Sequence, residues 1–285
     1  TFTIPADGST ITEVETLEHD TANGKHNSLV QVDADTYALA YTGDGSDGFI
    51  STFTIPADGS TITEVETLEH DTVYSIYNSL VQVDADTYAL AYTGSGDDGF
   101  ISTFTIDSDG DITPIRIQNH GAFGSASVNL EHDTTRGYHN SLVQVDADTY
   151  ALAYDGGDAR GYISTFTISA DGSTVTEVET LRHELGVASY NSLVQVDADT
   201  YALAYAGHGE EWWENNGFIS TFTIPADGST ITEVATLEHD TARGQYNSLV
   251  QVDADTYALA YAGDGSDGFI STFTIPADGS TITEV

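Results

Sequence analysis

One fifteen-residue block, repeated five times without a single change, constrains the fold of this chain more than any other feature. The block reads Asn-Ser-Leu-Val-Gln-Val-Asp-Ala-Asp-Thr-Tyr-Ala-Leu-Ala-Tyr and begins at Asn27, Asn78, Asn140, Asn191 and Asn247. A Thr-Phe-Thr-Ile segment followed by an Asp-Gly turn alternates with it and occurs six times. Repetition at this spacing predicts an array of similar structural units that stack to bury a common core.

Each unit contains four segments that are typical of β-strands. In the first unit they span residues 28–32, 37–42, 49–55 and 61–68. All four are rich in β-branched and aromatic residues, and the short links between them contain Gly, Asp or Pro. The sequence therefore predicts an antiparallel meander of strands A, B, C and D. Strand B lacks polar alternation, which predicts burial on both faces. Strand D carries Glu64 and Glu66, which is typical of an outer edge.

Four strands in about fifty residues, with five copies, resemble a β-propeller, and the strand order is similar to a WD40 blade. Leu17-Glu18-His19-Asp20 stands near the Gly-His position of that motif, and Phe53-Thr54-Ile55 stands where its Trp-Asp dipeptide would be. The number and size of the repeats are also similar to lectin propellers of the tachylectin type. The resemblance implies an all-β propeller of four-stranded antiparallel blades.

Identical segments at the two ends of the chain bear on how such a ring would close. Residues 1–14 match residues 272–285 and supply only strands C and D. Five A strands favour five blades in one domain of residues 1–285, closed by a clasp in which the N-terminal C-D hairpin pairs with the last A-B hairpin. Six blades would need a further A-B hairpin after Val285. The predicted repeats are residues 15–65, 66–116, 117–178, 179–234 and 235–285.

The charge balance excludes some partners. Six Lys and Arg face 46 Asp and Glu, which gives a formal net charge of −40, while 39% of residues are hydrophobic. Nothing in such a chain could neutralise nucleic-acid phosphates. The hydrophobic fraction argues for a packed core with acids on its surface. Two surroundings fit: high salt, which screens self-repulsion, as for a halophilic or marine protein, or secretion into a medium with divalent cations.

Several absences narrow the sequence further. Cysteine is missing, so neither disulfides nor thiolate metal sites are available. No apolar run approaches the roughly 18 residues of a membrane span. The chain starts at Thr1 without Met and without a signal peptide, and it ends inside a repeat. We interpret it as a mature fragment or a piece of a longer array, with an extracellular or cell-surface location expected.

An aromatic or imidazole ring precedes the block in every unit, and these positions are the main binding candidates. The D-A and B-C connections vary most between copies, and in a propeller they emerge on one face. Rings beside amides suit sugar recognition, although a layer that closes the central channel is an alternative. The candidate ligand-binding residues are His26, Asn27, Tyr77, Asn78, His139, Asn140, Tyr190, Asn191, Tyr246 and Asn247.

The fourth B-C loop contains both tryptophans of the chain. Trp212 and Trp213 lie among acidic residues. Because Trp is favoured at binding hot spots, this pair is a further candidate contact, and packing over a neighbouring blade is the alternative.

Metal binding is a weaker prediction. Asp44 and Asp47 in one turn, and Asp107, Asp109 and Asp111 in another, place carboxylates at nearby positions that suit a hard cation such as calcium. Neither turn completes an EF-hand pattern, and solvated acidic turns are the alternative. A histidine also repeats in every unit, for example His70, where a structural role with a hydrogen bond to the next loop is expected.

The sequence favours binding over catalysis. A glycoside hydrolase would need paired carboxylates in unlike environments, whereas Asp33 repeats identically in every unit. No Ser-His-Asp order or nucleotide motif is present. We therefore expect a non-enzymatic, secreted, multivalent lectin-like scaffold that needs no cofactor, except possible calcium, and binds a glycan or protein surface. The alternative is a structural protein that self-associates through the spare terminal hairpin, with a glycoside hydrolase less favoured.

Overall fold

The computed structural model describes residues 1–117, 126–208 and 215–285, and β-strands dominate this part of the chain. Four one-turn 3-10 helices, at Asp44–Ser46, Ser95–Asp97, Gly157–Ala159 and Asp264–Ser266, connect strands B and C. No helix within the described ranges has the length and apolar character to cross a membrane. The all-β prediction is confirmed.

The strands form five large sheets in chain order, preceded by a small hairpin. The N-terminal hairpin consists of β1 (Phe2–Thr3) and β2 (Thr12–Glu13). Sheet 1 contains β3 (Lys25–Gln31), β4 (Thr36–Thr42), β5 (Gly48–Thr54) and β6 (Thr63–Asp71). Sheet 2 contains β7 (Ile76–Asp84), β8 (Thr87–Thr93), β9 (Gly99–Ile106) and a D strand in two pieces, β10 (Ile112–Pro114) and β13 (Asn129–Asp133). The short strands β11 (Arg116–Ile117) and β12 (Ala126–Ser127) pair between those two pieces.

The remaining three sheets repeat the same order. Sheet 3 contains β14 (Tyr138–Asp146), β15 (Thr149–Gly156), β16 (Arg160–Ile168) and β17 (Val175–Arg182). Sheet 4 contains β18 (Ser189–Asp197), β19 (Thr200–Gly207), β20 (Asn216–Thr223) and β21 (Thr232–Asp240). Sheet 5 contains β22 (Gln245–Asp253), β23 (Thr256–Ala262), β24 (Gly268–Thr274) and β25 (Thr283–Glu284). Neighbouring strands are antiparallel throughout, as the short connections predict.

Strand B of sheets 2, 3 and 4 is buried on both faces because a neighbouring sheet covers each side. Ala38 and Ala40 of sheet 1 pack into the same cluster as Tyr88, Leu90 and Tyr92 of sheet 2. Small alanines on one side leave room for the large side chains of the next sheet, so the repeated Tyr-Ala-Leu-Ala-Tyr sequence builds both halves of each contact. We call the side of a sheet that carries the alanines its trailing face and the other side its leading face.

Regular hydrogen bonds also join successive sheets. The backbone N–H of Leu80 donates to Ser28 Oγ at 2.9 Å, and the same bond joins Leu142 to Ser79, also at 2.9 Å. Sheets 3 to 5 repeat this bond with Leu193 and Leu249 as donors. Farther out, Thr52 Oγ1 donates to the carbonyl of Gly110, in the C-D turn of the next sheet, at 2.6 Å. The repeated sequence thus reproduces one contact chemistry at each of the four junctions.

The predicted clasp is wrong. Strand β23 pairs with β24 of the C-terminal copy, and β1 pairs with β2 in the described structure. The two competing C-D segments are identical, but the C-terminal copy follows the last A-B hairpin after a short loop. Closing that loop costs less entropy than bringing the distant N-terminus to the same edge. The sheets form an unclosed, propeller-like series, and the number of blades in a closed ring stays a prediction.

Candidate functional site

A distortion at the start of every A strand determines the direction in which one ring-bearing side chain points. The pairing of strands A and B shifts register there, between Lys25 and Ser28 in sheet 1 and at the corresponding places in sheets 2 to 5. Such a bulge changes the direction in which a side chain points. The bulged residues are His26, Tyr77, His139, Tyr190 and Tyr246, which we call the ring layer.

All five ring-layer residues adopt the left-handed backbone conformation. Their φ angles lie between 53° for His26 and 57° for Tyr190. This conformation is uncommon for residues other than glycine, and it costs of the order of 1–3 kcal/mol per residue when the surrounding structure imposes it. Strain of this kind clusters at sites that position side chains for binding or chemistry. The sequence shows that a ring-bearing residue occupies each of these positions, but it does not predict the left-handed backbone conformation.

The ring layer and the asparagines that follow it line one cavity of ≈ 350 Å³. Successive rings touch: His26 and Tyr77 have centroids 4.5 Å apart, and Tyr77 and His139 are 4.1 Å apart. The series continues from His139 to Tyr190 and from Tyr190 to Tyr246, at 4.4 Å each. The structure thus brings together all ten residues predicted at the mouth of the channel. Whether they bind a ligand stays a prediction.

The asparagine side chains join neighbouring sheets. Asn140 Nδ2 donates to the carbonyl of Tyr77 at 3.2 Å and to that of Gly137 at 2.9 Å. Equivalent bonds to the preceding ring-layer carbonyl are made by Asn78, Asn191 and Asn247. The amide nitrogens are therefore committed to the framework. By contrast, the buried Oδ1 atoms of Asn140, Asn191 and Asn247 have no hydrogen-bond partner in the described structure and remain acceptors.

The cavity is lined by uncharged groups at neutral pH. Burial and the nearby Arg136 lower the pKa of His139 to about 3, and burial together with Lys25 lowers the pKa of His26. Burial raises the pKa of Tyr77, and it raises the pKa of Tyr190 to about 12. None of the ten lining residues is acidic. A neutral cavity inside a chain of net charge −40 sets this site apart from the rest of the surface.

Sequence reasoning missed a charged cluster in unit 3. Arg136 Nη2 lies 2.8 Å from Asp155 Oδ2, and the Asp155 side chain is fully buried. The guanidinium carbon of Arg136 also lies 4.4 Å from the centre of the Tyr138 ring. Burial raises the pKa of Asp155 to about 6, although Arg136 opposes this. A comparison of equivalent positions in the five repeats would have revealed this cluster, since Asp155 occupies a position held by Thr42 and Thr93 in other units.

The other predicted site residues do not converge. Asp44 Oδ1 accepts from the N–H of Gly45, and Asp107 Oδ1 accepts from the N–H groups of Asp109 and Asp111, so these carboxylates organise their own turns. Among the described residues, no cluster of three or more His, Cys, Asp or Glu could hold a metal ion. Trp212 and Trp213 lie outside the described residues.

The repeated histidines pack in the core instead of binding the next loop. His70 meets Tyr92 edge-on at 5.0 Å, and His132 meets Tyr154 in the same way at 4.7 Å. Neither nitrogen of these two rings has a hydrogen-bond partner in the described part of the chain, so the predicted hydrogen bond is absent. A glycine on strand C makes room, because a Cβ on Gly99 would lie 2.5 Å from His132 Nε2. The role of these histidines is packing.

Comparisons with known proteins identify the fold through structure and not through sequence. No protein-family model and no curated protein matches the chain. The periplasmic gluconolactonase of Pseudomonas aeruginosa matches with a TM-score of 0.57 at 10% identity, covering 100% of this chain and 90% of that one. A protein assigned as a 6-phosphogluconolactonase from Bacteroides fragilis matches with a TM-score of 0.53 at 12% identity, covering 100% and 88%. Sqt1 of Saccharomyces cerevisiae matches with 0.56 at 10% identity, covering 94% and 63%.

These matches show a β-propeller-like fold and correct the functional prediction. The WD40-like strand order is compatible with the similarity to Sqt1, while the tachylectin resemblance stays a prediction. The predicted non-enzymatic, lectin-like or self-assembling scaffold is contradicted, because two of these structures are lactonases. The carboxylates are identical in every repeat, but histidine or tyrosine at the ring-layer position makes otherwise identical units chemically unlike.

Proposed function

We propose that the central cavity hydrolyses an uncharged sugar lactone. The observation that carries this proposal is the group of His26, Tyr77 and His139 in one uncharged cavity, with Tyr77 between the two imidazoles. Lactone hydrolysis needs a base for the attacking water and a hydrogen-bond donor for the carbonyl oxygen. The similarity to lactonases supports the fold only, so the proposed chemistry rests on the residues of the cavity.

The three side chains have distinct roles in this proposal. The neutral imidazole of His26 accepts a proton as water attacks the lactone carbonyl carbon, and the Tyr77 hydroxyl donates a hydrogen bond to the developing oxyanion. The ring C–O bond then breaks, and the ring oxygen takes up that proton, which gives the hydroxy acid. His139 is the weaker base, since its pKa lies at about 3, and we assign it to positioning the Tyr77 ring.

Charge favours a substrate without phosphate. The protein carries a net charge of −40, and none of the cavity-lining residues is cationic at neutral pH. A phosphorylated lactone would meet repulsion on approach with no fixed positive partner in the cavity. The product of hydrolysis is itself a carboxylate, so the same repulsion assists its release.

The test measures acid release from D-glucono-δ-lactone in a pH-stat at pH 6.5, above the spontaneous rate. We expect catalysed hydrolysis, with 6-phosphogluconolactone turned over more slowly. His26→Tyr should lower kcat/KM by about 100-fold or more, because general-base catalysis contributes about 10²–10⁴-fold. Tyrosine occupies the same ring-layer position in three of the five units, so this variant keeps the framework.

Phe218→Tyr is the matched control, since Phe218 does not line the cavity and tyrosine occupies the equivalent position in unit 3 as Tyr162. It should fold and retain activity. Hydrolysis at the spontaneous rate between pH 5 and 8, or a His26→Tyr/His139→Tyr variant as active as the parent protein, would overturn the proposal.

A further inference from the structure

Two apolar sheet faces at the ends of the series are uncovered, although their counterparts inside it are buried. Ile270, on the trailing face of sheet 5, is 78% exposed, whereas the equivalent Ile50, Ile101, Ile163 and Ile219 are 0% exposed. Leu29, on the leading face of sheet 1, is 59% exposed, whereas the equivalent Leu80, Leu142, Leu193 and Leu249 are 3–4% exposed. The sequences are identical, so position in the series alone accounts for the difference.

The four internal junctions show what covers each of these faces. A trailing face with Ala38, Ala40 and Ile50 packs against leading-face residues such as Tyr88 and Leu90. Strands A and B of a unit carry both kinds of residue, since side chains alternate between the two faces of a strand. One further A-B hairpin would therefore present leucine and tyrosine to sheet 5, and valine and alanine to sheet 1.

Polar groups at the same faces lack the bonds made elsewhere. Ser28 Oγ accepts from the N–H of the next unit's Leu80, whereas Ser248 of sheet 5 is exposed and has no following unit in the described structure. The carbonyl of Tyr190 accepts from Asn247, but that of Tyr246 meets no further asparagine within the described residues. Within the described ranges, the Asn27 side chain likewise bonds to its own loop alone, at the carbonyl of Gly24. Each of these groups would be satisfied by the repeated Asn-Ser-Leu sequence.

The N-terminal hairpin already supplies half of the unit that would fill this space. Thr1 Oγ1 donates to the carbonyl of Gly59 at 2.7 Å, just as Thr52 donates to Gly110 at 2.6 Å. Strand β1 therefore occupies the C-strand position of a unit that precedes sheet 1, but no B strand pairs with its free edge in the described structure. Its Phe2 is 61% exposed, whereas the equivalent Phe53 is 5% exposed.

We propose that the space between sheet 5 and sheet 1 binds a partner that presents a β-hairpin of the A-B sequence of this repeat. The hairpin adds to the free edge of β1 by strand pairing. The expected register follows sheet 1, where Phe53 pairs with Tyr37 and Thr54 with Thr36. Phe2 would then pair with the tyrosine of the incoming B strand, and Thr3 with the threonine before it.

The experiment titrates the full 285-residue protein into a fluorescein-labelled peptide with the sequence of residues 245–262. We expect saturable one-to-one binding in fluorescence anisotropy, with a Kd on the order of 10 µM or tighter. Saturating peptide should also raise the Tm of the protein, because a ligand that binds only the folded state stabilises it. The readout is binding, so it is independent of any lactonase activity.

Matched variants locate the contact. Ile270→Asp and Leu29→Asp change exposed side chains, so they should fold normally and weaken binding at least about tenfold. A peptide that carries L249D and Y257D should not bind. No binding, or equal binding by these variants, would overturn the proposal. It would also be overturned if the free protein were a dimer that Ile270→Asp converts to a monomer, since a second copy would then cover the face.

Discussion

The buried histidines of this protein are compatible with the folded state only while their rings are uncharged. Burial lowers the pKa of His70 and His132 to about 4 and that of His183 to about 3. The ordinary value of about 6.5 applies once the chain unfolds. Because the folded-state pKa is the lower one, the unfolded chain binds more protons as the solution becomes acidic. The stabilisation is thus complete above about pH 6.5 and is lost as pH falls toward 4.

Mild acid should therefore destabilise the fold. Between pH 7 and pH 5 each of these histidines should cost about 2 kcal/mol of unfolding free energy, which lowers Tm by about 5–10 °C in total. Thermal melts monitored by circular dichroism measure this. The His132→Phe variant removes one titrating group while keeping a ring against Tyr154, so it should show a smaller loss. A Tm that is constant or higher at pH 5 would contradict the expectation.

The pair of Arg136 and Asp155 offers a second test at the residue scale. Arg136→Asn should cost about 3–5 kcal/mol, since it leaves the carboxyl group of Asp155 buried without its partner. Asp155→Thr should cost less, because the Arg136 side chain is 33% exposed and can reach water. The double variant restores the residues of unit 1, Asn23 and Thr42, and should recover most of the stability. Urea unfolding gives the double-mutant cycle, and strictly additive losses would show that the pair is not coupled.

At the scale of the element, the bulge that begins each A strand holds the site together. It turns the ring-layer side chain into the cavity and leaves its carbonyl free to accept from the asparagine of the next unit. Among the described residues, no A strand precedes that of sheet 1, and the Asn27 amide donates to the carbonyl of Gly24 in its own loop instead. The chain thus contains its own comparison between a bridging and a non-bridging asparagine.

Asn140→Ala should lower the unfolding free energy by about 1–3 kcal/mol, because it removes two side-chain hydrogen bonds, one of which joins the carbonyl of Tyr77 to the next sheet. Asn27→Ala, at an exposed position with one local bond, should cost less than about 1 kcal/mol. Urea midpoints at constant m-value measure the difference. Equal losses at the two positions would show that the bridge between sheets contributes nothing.

The repeated sequence predicts the strands correctly, but it predicts neither the bulge nor which C-D segment completes the last sheet. Strand B was predicted at residues 37–42 and is observed at Thr36–Thr42, since a run of buried Tyr, Ala and Leu fits nothing else in a four-stranded unit. A bulge leaves no trace in a period-two pattern, so the left-handed conformation of His26 could not be inferred. The prediction of the clasp was wrong because the two C-D segments have the same sequence, so their residues do not indicate which of them pairs with the last A-B hairpin.

At the scale of the whole molecule, net charge opposes compaction. A charge of −40 on 285 residues produces repulsion that salt should screen. The Debye length falls from about 10 Å at 0.1 M to about 3 Å at 1 M, which removes most of the repulsion between separate surface acids.

Raising NaCl from 0.05 to 0.5 M at pH 7 should increase Tm by about 5 °C, as measured by differential scanning calorimetry. KCl serves as the control, since screening does not depend on which monovalent cation is present. An additional rise in 5 mM CaCl₂ would support the predicted calcium turns at Asp44 and Asp107. A Tm that is independent of salt would contradict a destabilising role for the charge.

Four asparagines of the cavity, Asn78, Asn140, Asn191 and Asn247, donate hydrogen bonds to the backbone of the ring-layer residues, and these bonds do not require a particular side chain there. The framework is therefore indifferent to which ring projects from each bulge. Histidine in two places and tyrosine in three is one of many combinations that a single scaffold could display. Chemistry at the axis can thus diversify by exchanging one residue at a time, without any redesign of the sheets that hold it.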